Sequence, residues 1–275
     1  MATEKRGNCR FCIFNSKSEL WGSSSCVSPL LPHANIRRLL HHRFGICGVL
    51  DDLRHGCVND SRKRYDHEVI DSHCHLADEA FSADRAEVLA RAHAAGVLMM
   101  VTIADSIPEA AICVEIAENN PHIFATVGVH PHTSKLWGEN DDERLRMLVS
   151  SSAKVKAIGE IGLDYHYDFS PRTTQQEVFR LQLKLAQELN LPCVIHCREA
   201  VADVKSILAD HTPRQFVLHC CTEKWEDVSD LVAAGNLLSF TGMATYPKAT
   251  VIHETIRQCP LEKMMIETDA PYLAP

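Results

Sequence analysis

The sequence has no apolar run approaching the roughly 18 residues that a membrane-crossing helix needs, and no secretory apolar segment near its start. The first absence argues against a membrane protein. The second argues against reading the 12 cysteines of this 275-residue chain as a disulfide framework. Free thiols in a reducing compartment are the expectation, and with them a cytoplasmic protein, the nucleus or an organelle remaining open. A broad basic face is missing too. Residues 1–66 carry 11 Lys/Arg against 6 Asp/Glu and the remainder 17 against 30, so the net charge of −8 divides into a basic front and an acidic body. Duplex nucleic acid needs a basic footprint, and the body does not offer one. Any nucleic acid it binds has to be held locally, through metal ions and a few cationic side chains.

The first 66 residues show no sustained apolar period. Gly22-Ser23-Ser24-Ser25, Pro29, Pro32, Arg37-Arg38 and His41-His42 follow one another without pattern. Cys9 and Cys12 have the spacing of a zinc knuckle, with Cys26, His33, Cys47 and Cys57 as irregularly placed partners. Arg and Ser are common, as in a targeting presequence, although Glu4 and Glu19 count against one. The expectation is an irregular or disordered N-terminal extension over 1–66 and a folded domain over 67–275.

From there strand and helix signals alternate. Apolar strand candidates are Glu68–His73, Leu98–Ile103, Ile123–Val129, Val155–Ile161, Cys193–His196, Phe216–His219, Leu237–Phe240 and Met264–Glu267. Between them lie seven helical stretches. One closes at Gly96, one opens at Pro108, and one covers Asp141–Ser151. The fourth carries a capping box, Thr174-x-x-Glu177, with Val178, Leu181, Leu185 and Leu189 as its apolar stripe. The fifth follows Glu199, the sixth turns Val228, Leu231 and Val232 inward, and the seventh spans Pro247–Gln258. Eight β–α repeats predict a parallel sheet closed into a (β/α)8 TIM barrel, whose active site lies at the carboxyl ends of the strands.

The strand ends are where the chemistry stands. His73 and His75 are one residue apart, so on a strand they project from the same side and can grip one ion, unless they are two surface histidines. Later strands run into His130, Glu160, His196, His219 and Glu267-Thr268-Asp269. Each delivers a potential metal ligand at its carboxyl end, a coincidence hard to obtain by chance across so many strands.

Four segments together, Asp71-Ser72-His73-Cys74-His75-Leu76, Gly159-Glu160-Ile161-Gly162-Leu163-Asp164-Tyr165, Ile195-His196-Cys197-Arg198 and Glu267-Thr268-Asp269-Ala270-Pro271-Tyr272-Leu273, resemble the signature segments of the TatD-related metal-dependent deoxyribonucleases, amidohydrolase-like TIM barrels. The resemblance spans Val69 to Pro275. It implies hydrolysis of phosphodiester bonds in DNA with two divalent ions: His73, His75 and Asp269 on one, His196 and His219 on the other, and Glu160 bridging. It also implies that the barrel lacks its C-terminal helix, since relatives continue past the position of Pro275. That ending fits a fragment and leaves an apolar flank uncovered. Cys220-Cys221 departs from the family, where an aromatic residue more usually follows the first cysteine.

The residue types suit that chemistry. Imidazole and carboxylate ligands favour Zn²⁺ or Mn²⁺ and accept Mg²⁺ less readily. Asp269 could take a proton from the attacking water, so Asp269 and Glu160 are the expected catalytic residues. Arg198 and His130 are the expected substrate contacts, on phosphate oxygens, against a surface ion pair for the first and a satisfied rim histidine for the second. Tyr165 and Tyr272 are candidates for stacking on a base or for rim packing. Cys74, Cys197, Cys220 and Cys221 read as small apolar spacers, because the nearby histidines are committed to metal. The expected partner is DNA, single-stranded or at ends, with no membrane; nothing fixes an oligomeric state. The other readings are an amidohydrolase-type enzyme for amides or esters, and a metal-binding remnant without activity.

Overall fold

The computed structural model describes residues 68–273. The extension over 1–66 and its cysteine spacing lie outside the described residues. Eight strands alternate with seven α-helices: β1 (Val69–Cys74), α1 (Arg85–Ala94), β2 (Val97–Thr102), α2 (Ile107–Asn119), β3 (Ile123–Val127), α3 (Asp141–Ser151), β4 (Val155–Asp164), α4 (Arg172–Leu189), β5 (Cys193–Arg198), α5 (Val201–Asp210), β6 (Phe216–Leu218), α6 (Trp225–Ala233), β7 (Leu237–Phe240), α7 (Thr250–Gln258) and β8 (Met264–Ile266). The strands are parallel and lie side by side in chain order. This is the expected TIM barrel, nearly closed. Among the described residues no helix is long and apolar enough to cross a membrane.

Apolar residues on the helix side of the strands, Ile158, Ile161, Ile195 and Leu218 among them, pack against Phe179, Leu183, Val204 and Val228 from the helices. The opposite faces of β4 to β7 meet in a smaller cluster, Ala157, Val194, Val217 and Leu237, with Met265 of β8 against it. Strand alternation then carries the sequence from this inner layer to the barrel mouth: Val194 leads to His196, Val217 to His219, and Met265 to Glu267, with Asp269 following three residues past the end of β8. On β4 the register shifts between Ile158 and Ile161, so Glu160 is free of strict alternation and turns towards the histidines.

The seam between first and last strands is joined at the mouth. Asp269 N donates to His73 O at 2.9 Å, and His75 N to Ala270 O at 2.7 Å. The buried Asp71 carboxylate accepts from Thr268 N at 3.0 Å and Thr268 Oγ1 at 2.6 Å. Towards the other end β8 is thinly covered. Met264, Met265 and Ile266 are only half-buried, and no helix follows β8 among the described residues.

Two expectations about α4 need correction. The helix starts at Arg172, with Pro171 as its N-cap, so Thr174 and Glu177 lie inside it and form no capping box. Pro171, fixed near φ −55°, opens the helix earlier, and the preceding Ser170 is occupied by His132 O. The apolar stripe is also rotated. Leu181 is 41% exposed, while Gln175 and Gln182 are buried. These amides are turned inward by strand-end backbone: Gln182 bonds Val129 N and O at 2.8 and 2.9 Å, and Gln175 bonds Asp164 N and O at 2.8 and 3.0 Å. Helix α4 thereby holds the two strand ends that carry His130 and Asp164.

Gly162 is the tightest point of the wall. Its φ is +138°, and a Cβ there would stand 2.0 Å from His196 O across the β4–β5 ladder. Gly162→Ala is expected to lower stability by at least about 3 kcal/mol, seen as a reduced urea midpoint at unchanged m-value. A variant within about 0.5 kcal/mol of the parent, the range of neutral surface changes, would show that this contact does not fix the strand spacing.

Candidate metal centre

Two sets of ligand atoms meet at the strand ends. In the first, His73 Nε2 lies 3.2 Å from His75 Nε2, and Asp269 Oδ1 stands 3.5 Å from the former and 3.2 Å from the latter. Glu160 Oε2 is a fourth atom, 3.2 Å from His73 Nε2. Ligands held roughly 2.0–2.2 Å from a tetrahedral ion stand roughly 3.4 Å from one another, so this spacing suits a single cation. In the second set, Glu160 Oε1 lies 2.8 Å from His196 Nδ1, 2.9 Å from His219 Nε2 and 3.4 Å from His130 Nε2. One carboxylate thus turns one oxygen to each set.

The donor set fits a divalent ion on a second count. The nitrogens turned into the centre, His73 Nε2, His75 Nε2 and His219 Nε2, are buried beside the Glu160 and Asp269 carboxylates, and such mixed imidazole and carboxylate donors are what Zn²⁺ and Mn²⁺ take. Although burial opposes ionisation, the charges of His219, His130 and His73 hold the Glu160 carboxyl well below its usual range. Burial likewise opposes the charge on His75, yet its hydrogen bond to Asp269 and the nearby Asp105 push its pKa up to about 9. His73 goes the other way, lowered by burial and by His219.

The remaining predicted contacts take different places. His130 is buried, and its Nδ1 accepts from His132 N at 3.1 Å. That bond leaves the proton of the neutral ring on Nε2, so His130 presents a donor to the centre and not a lone pair. Arg198 is exposed at the end of β5, with its guanidinium 4.8 Å from the centre of the Tyr167 ring. Tyr165 is engaged through its hydroxyl, which donates to Asp203 Oδ2 at 2.6 Å, and Tyr272 donates to Asp78 Oδ2 at 2.5 Å. Burial keeps the thiols protonated, raising Cys220 to about 11 and Cys221 to about 12, as spacers require.

Three acids that the sequence reading left without a role stand behind the histidines. Glu267 Oε1 is 3.3 Å from His219 Nδ1 and accepts Cys220 N, while Oε2 accepts Ser239 Oγ at 2.6 Å. Asp164 Oδ2 lies 3.1 Å from His196 Nε2. Asp105 Oδ1 lies 3.7 Å from His75 Nδ1. Such outer carboxylates orient a ligand ring and raise its basicity. Glu267 had a visible signal, since it is the first residue past the apolar run of β8 and stands two before Asp269. The backbone is also forced here: Glu199, Cys220 and Asp269, all at strand ends, have φ of 54°, 44° and 57°. Left-handed non-glycine residues of this kind concentrate where a site dictates the chain path. Glu267→Gln is expected to weaken Zn²⁺ binding roughly 10- to 100-fold, measured by competition with a chromogenic chelator, with little change in far-UV circular dichroism. Unchanged affinity would remove Glu267 from the site.

The comparisons with known proteins agree with this geometry. The profile of the TatD related DNase family matches residues 70–275. An uncharacterized metal-dependent hydrolase of Bacillus subtilis, YabD, is 37% identical over 209 residues, covering 75% of this chain and 82% of its own. A protein of Escherichia fergusonii named 3′-5′ ssDNA/RNA exonuclease TatD is 35% identical over 210 residues, covering 75% and 80%. Among solved structures, the TatD homologue YJJV of Escherichia coli has a TM-score of 0.70 at 32% identity, covering 74% of this chain and 80% of that one. An uncharacterized amidohydrolase of Saccharomyces cerevisiae shares the fold, with a TM-score of 0.64 at 22% identity, covering 75% and 76%. With the profile running from the first strand through the last and His, Asp and Glu gathered at the barrel mouth, the chain belongs to the TatD related DNase family, an enzyme of the metal-dependent, ester-hydrolysing kind.

Proposed function

We propose that this chain hydrolyses phosphodiester bonds at the ends of single-stranded DNA, as an exonuclease with two divalent ions. The observation that carries the reading is the division of Glu160 between two ligand sets, Oε2 towards His73 and Oε1 towards His196 and His219. His73, His75 and Asp269 would hold one ion, His196 and His219 the other, with Glu160 between them. A pair of divalent ions supplies charge stabilisation to the phosphoryl oxygens and acidifies a bound water.

The protein's own groups do the rest. Asp269 is kept ionised against its burial by the His75 hydrogen bond and by the charge of His219. In this reading it accepts the proton of the attacking water. His130 offers Nε2–H to a phosphate oxygen, and Arg198 at the rim offers a planar pair of donors. Glu267 and Asp164 fix the rings of His219 and His196. Zn²⁺ and Mn²⁺ suit these ligands better than Mg²⁺. The name borne by the Escherichia fergusonii relative supports single strands as substrate and adds RNA to DNA.

Metal-loaded protein should shorten end-labelled single-stranded oligonucleotides one nucleotide at a time. Asp269→Asn should slow this by at least about 100-fold, as removal of a positioned proton acceptor does. Inert oligonucleotides with active small amides or esters would support the amidohydrolase reading, and silence on every substrate the remnant. Glu160→Ala should lower the metal content from two ions towards one, read by elemental analysis after gel filtration. Two retained ions would overturn the bridging assignment.

A further inference from the structure

Beside the metal centre the β4–α4 connection raises two aromatic rings out of the surface. Tyr167 and Phe169 are 47% and 55% exposed. Their rings are nearly parallel, 9° between planes with centroids 5.2 Å apart. The rings touch each other, His132 and His166, but about half of each stays in water, and that apolar area contributes nothing to folding. The connection itself is well held. Asp164 Oδ1 accepts from Tyr167 N at 2.8 Å, which sets where that ring leaves the backbone. Phe169 is braced by the edge of His132, 4.8 Å between centroids.

The same carboxylate ties this pair to the chemistry. Asp164 Oδ2 lies 2.9 Å from His132 Nε2 and 3.1 Å from His196 Nε2. Aromatic pair and proposed ligand therefore share one buried acid, and a group resting on the rings is a neighbour of the centre. Arg198 completes the surface with its cation over the Tyr167 face, and among the described residues its guanidinium makes no ion pair. Flat π surfaces with a stacked arginine match nucleobases and their phosphate, and they tolerate any base because each base has a π face. An acidic body lacking a broad basic face leaves stacking as the sequence-independent hold still open to it.

We infer that Tyr167, Phe169 and Arg198 form a stacking platform for an unpaired nucleobase next to the phosphate being cleaved. This rests on the nuclease reading above and names what selects its substrate. A paired base cannot leave its stack without an unpairing cost, so the platform restricts attack to unpaired ends and serves DNA and RNA alike.

The test reads base stacking and hydrolysis separately. The full chain with Ca²⁺ is mixed with a single-stranded oligonucleotide carrying 2-aminopurine at its terminal or penultimate position, and quenching and affinity are recorded. The Tyr167→Ala/Phe169→Ala variant should lose the quenching and bind roughly 5- to 150-fold more weakly, the range for removing a stacking aromatic. Tyr167→Phe should keep both. With Mn²⁺, the double variant should show raised KM on the intact oligonucleotide and unchanged turnover of one abasic at the stacked positions. Quenching and affinity equal to the parent in the double variant, with hydrolysis intact, would overturn the platform alone. Quenching without hydrolysis in the parent would overturn the nuclease reading and leave the platform standing.

Discussion

A carboxylate buried among imidazoles is the constraint on which the rest depends. Glu160 is almost fully removed from water, a position a charged carboxyl holds only when opposite charge or hydrogen-bond donors surround it. Here they come from four strand ends, through His73, His130, His196 and His219. Displacing any of these strands would leave the acid short of a partner. The barrel therefore does more than display the site, because the spacing of its strands is what makes the charge tolerable. Beneath β4 to β7 the inner layer of Ala157, Val194, Val217 and Leu237 packs those strands against one another.

The residues that gather at the barrel mouth were legible in the sequence for a simple reason. Continuous apolar runs mark buried parallel strands, and in a barrel the residue just past such a run has one place to go. His73, His196 and His219, close to the ends of β1, β5 and β6, follow from that rule, whereas Glu160 lies inside β4 and Asp269 three residues past β8, and those two were legible through the motifs around them. The acids behind them did not follow. Asp164 and Asp105 act across strands, and cross-strand distances depend on register, which no local pattern records. Helix α4 misled for a related reason. Its buried glutamines answer strand-end carbonyls and amides outside the helix, 11 and 53 residues away, so a polar residue faces inward where periodicity asks for an apolar one. Exposed aromatics were read only in part. Acids hold the hydroxyls of Tyr165 and Tyr272, the latter ring still 51% exposed, while Tyr167 and Phe169, two and four residues beyond Tyr165, are open rings that no local pattern singled out.

The charge balance acquires a structural meaning from this. An acidic surface repels a polyanion at a distance, so attraction has to be short-ranged and concentrated where the strands end. Cations held by carboxylates, one arginine and a pair of flat rings are all short-ranged. On the proposed function, they would favour a chain end that can be threaded into contact over a duplex laid along a face.

One feature of the seam links chemistry to endurance. His75 and Asp269 are 194 positions apart along the chain, yet they face each other across the place where the first and last strands meet. A cation shared by them would also act as a rivet, fastening the two free edges of the sheet where the interstrand ladder stops. Occupancy and resistance to unfolding would then rise together, and a cell poor in the right ion would hold fewer intact copies as well as slower ones.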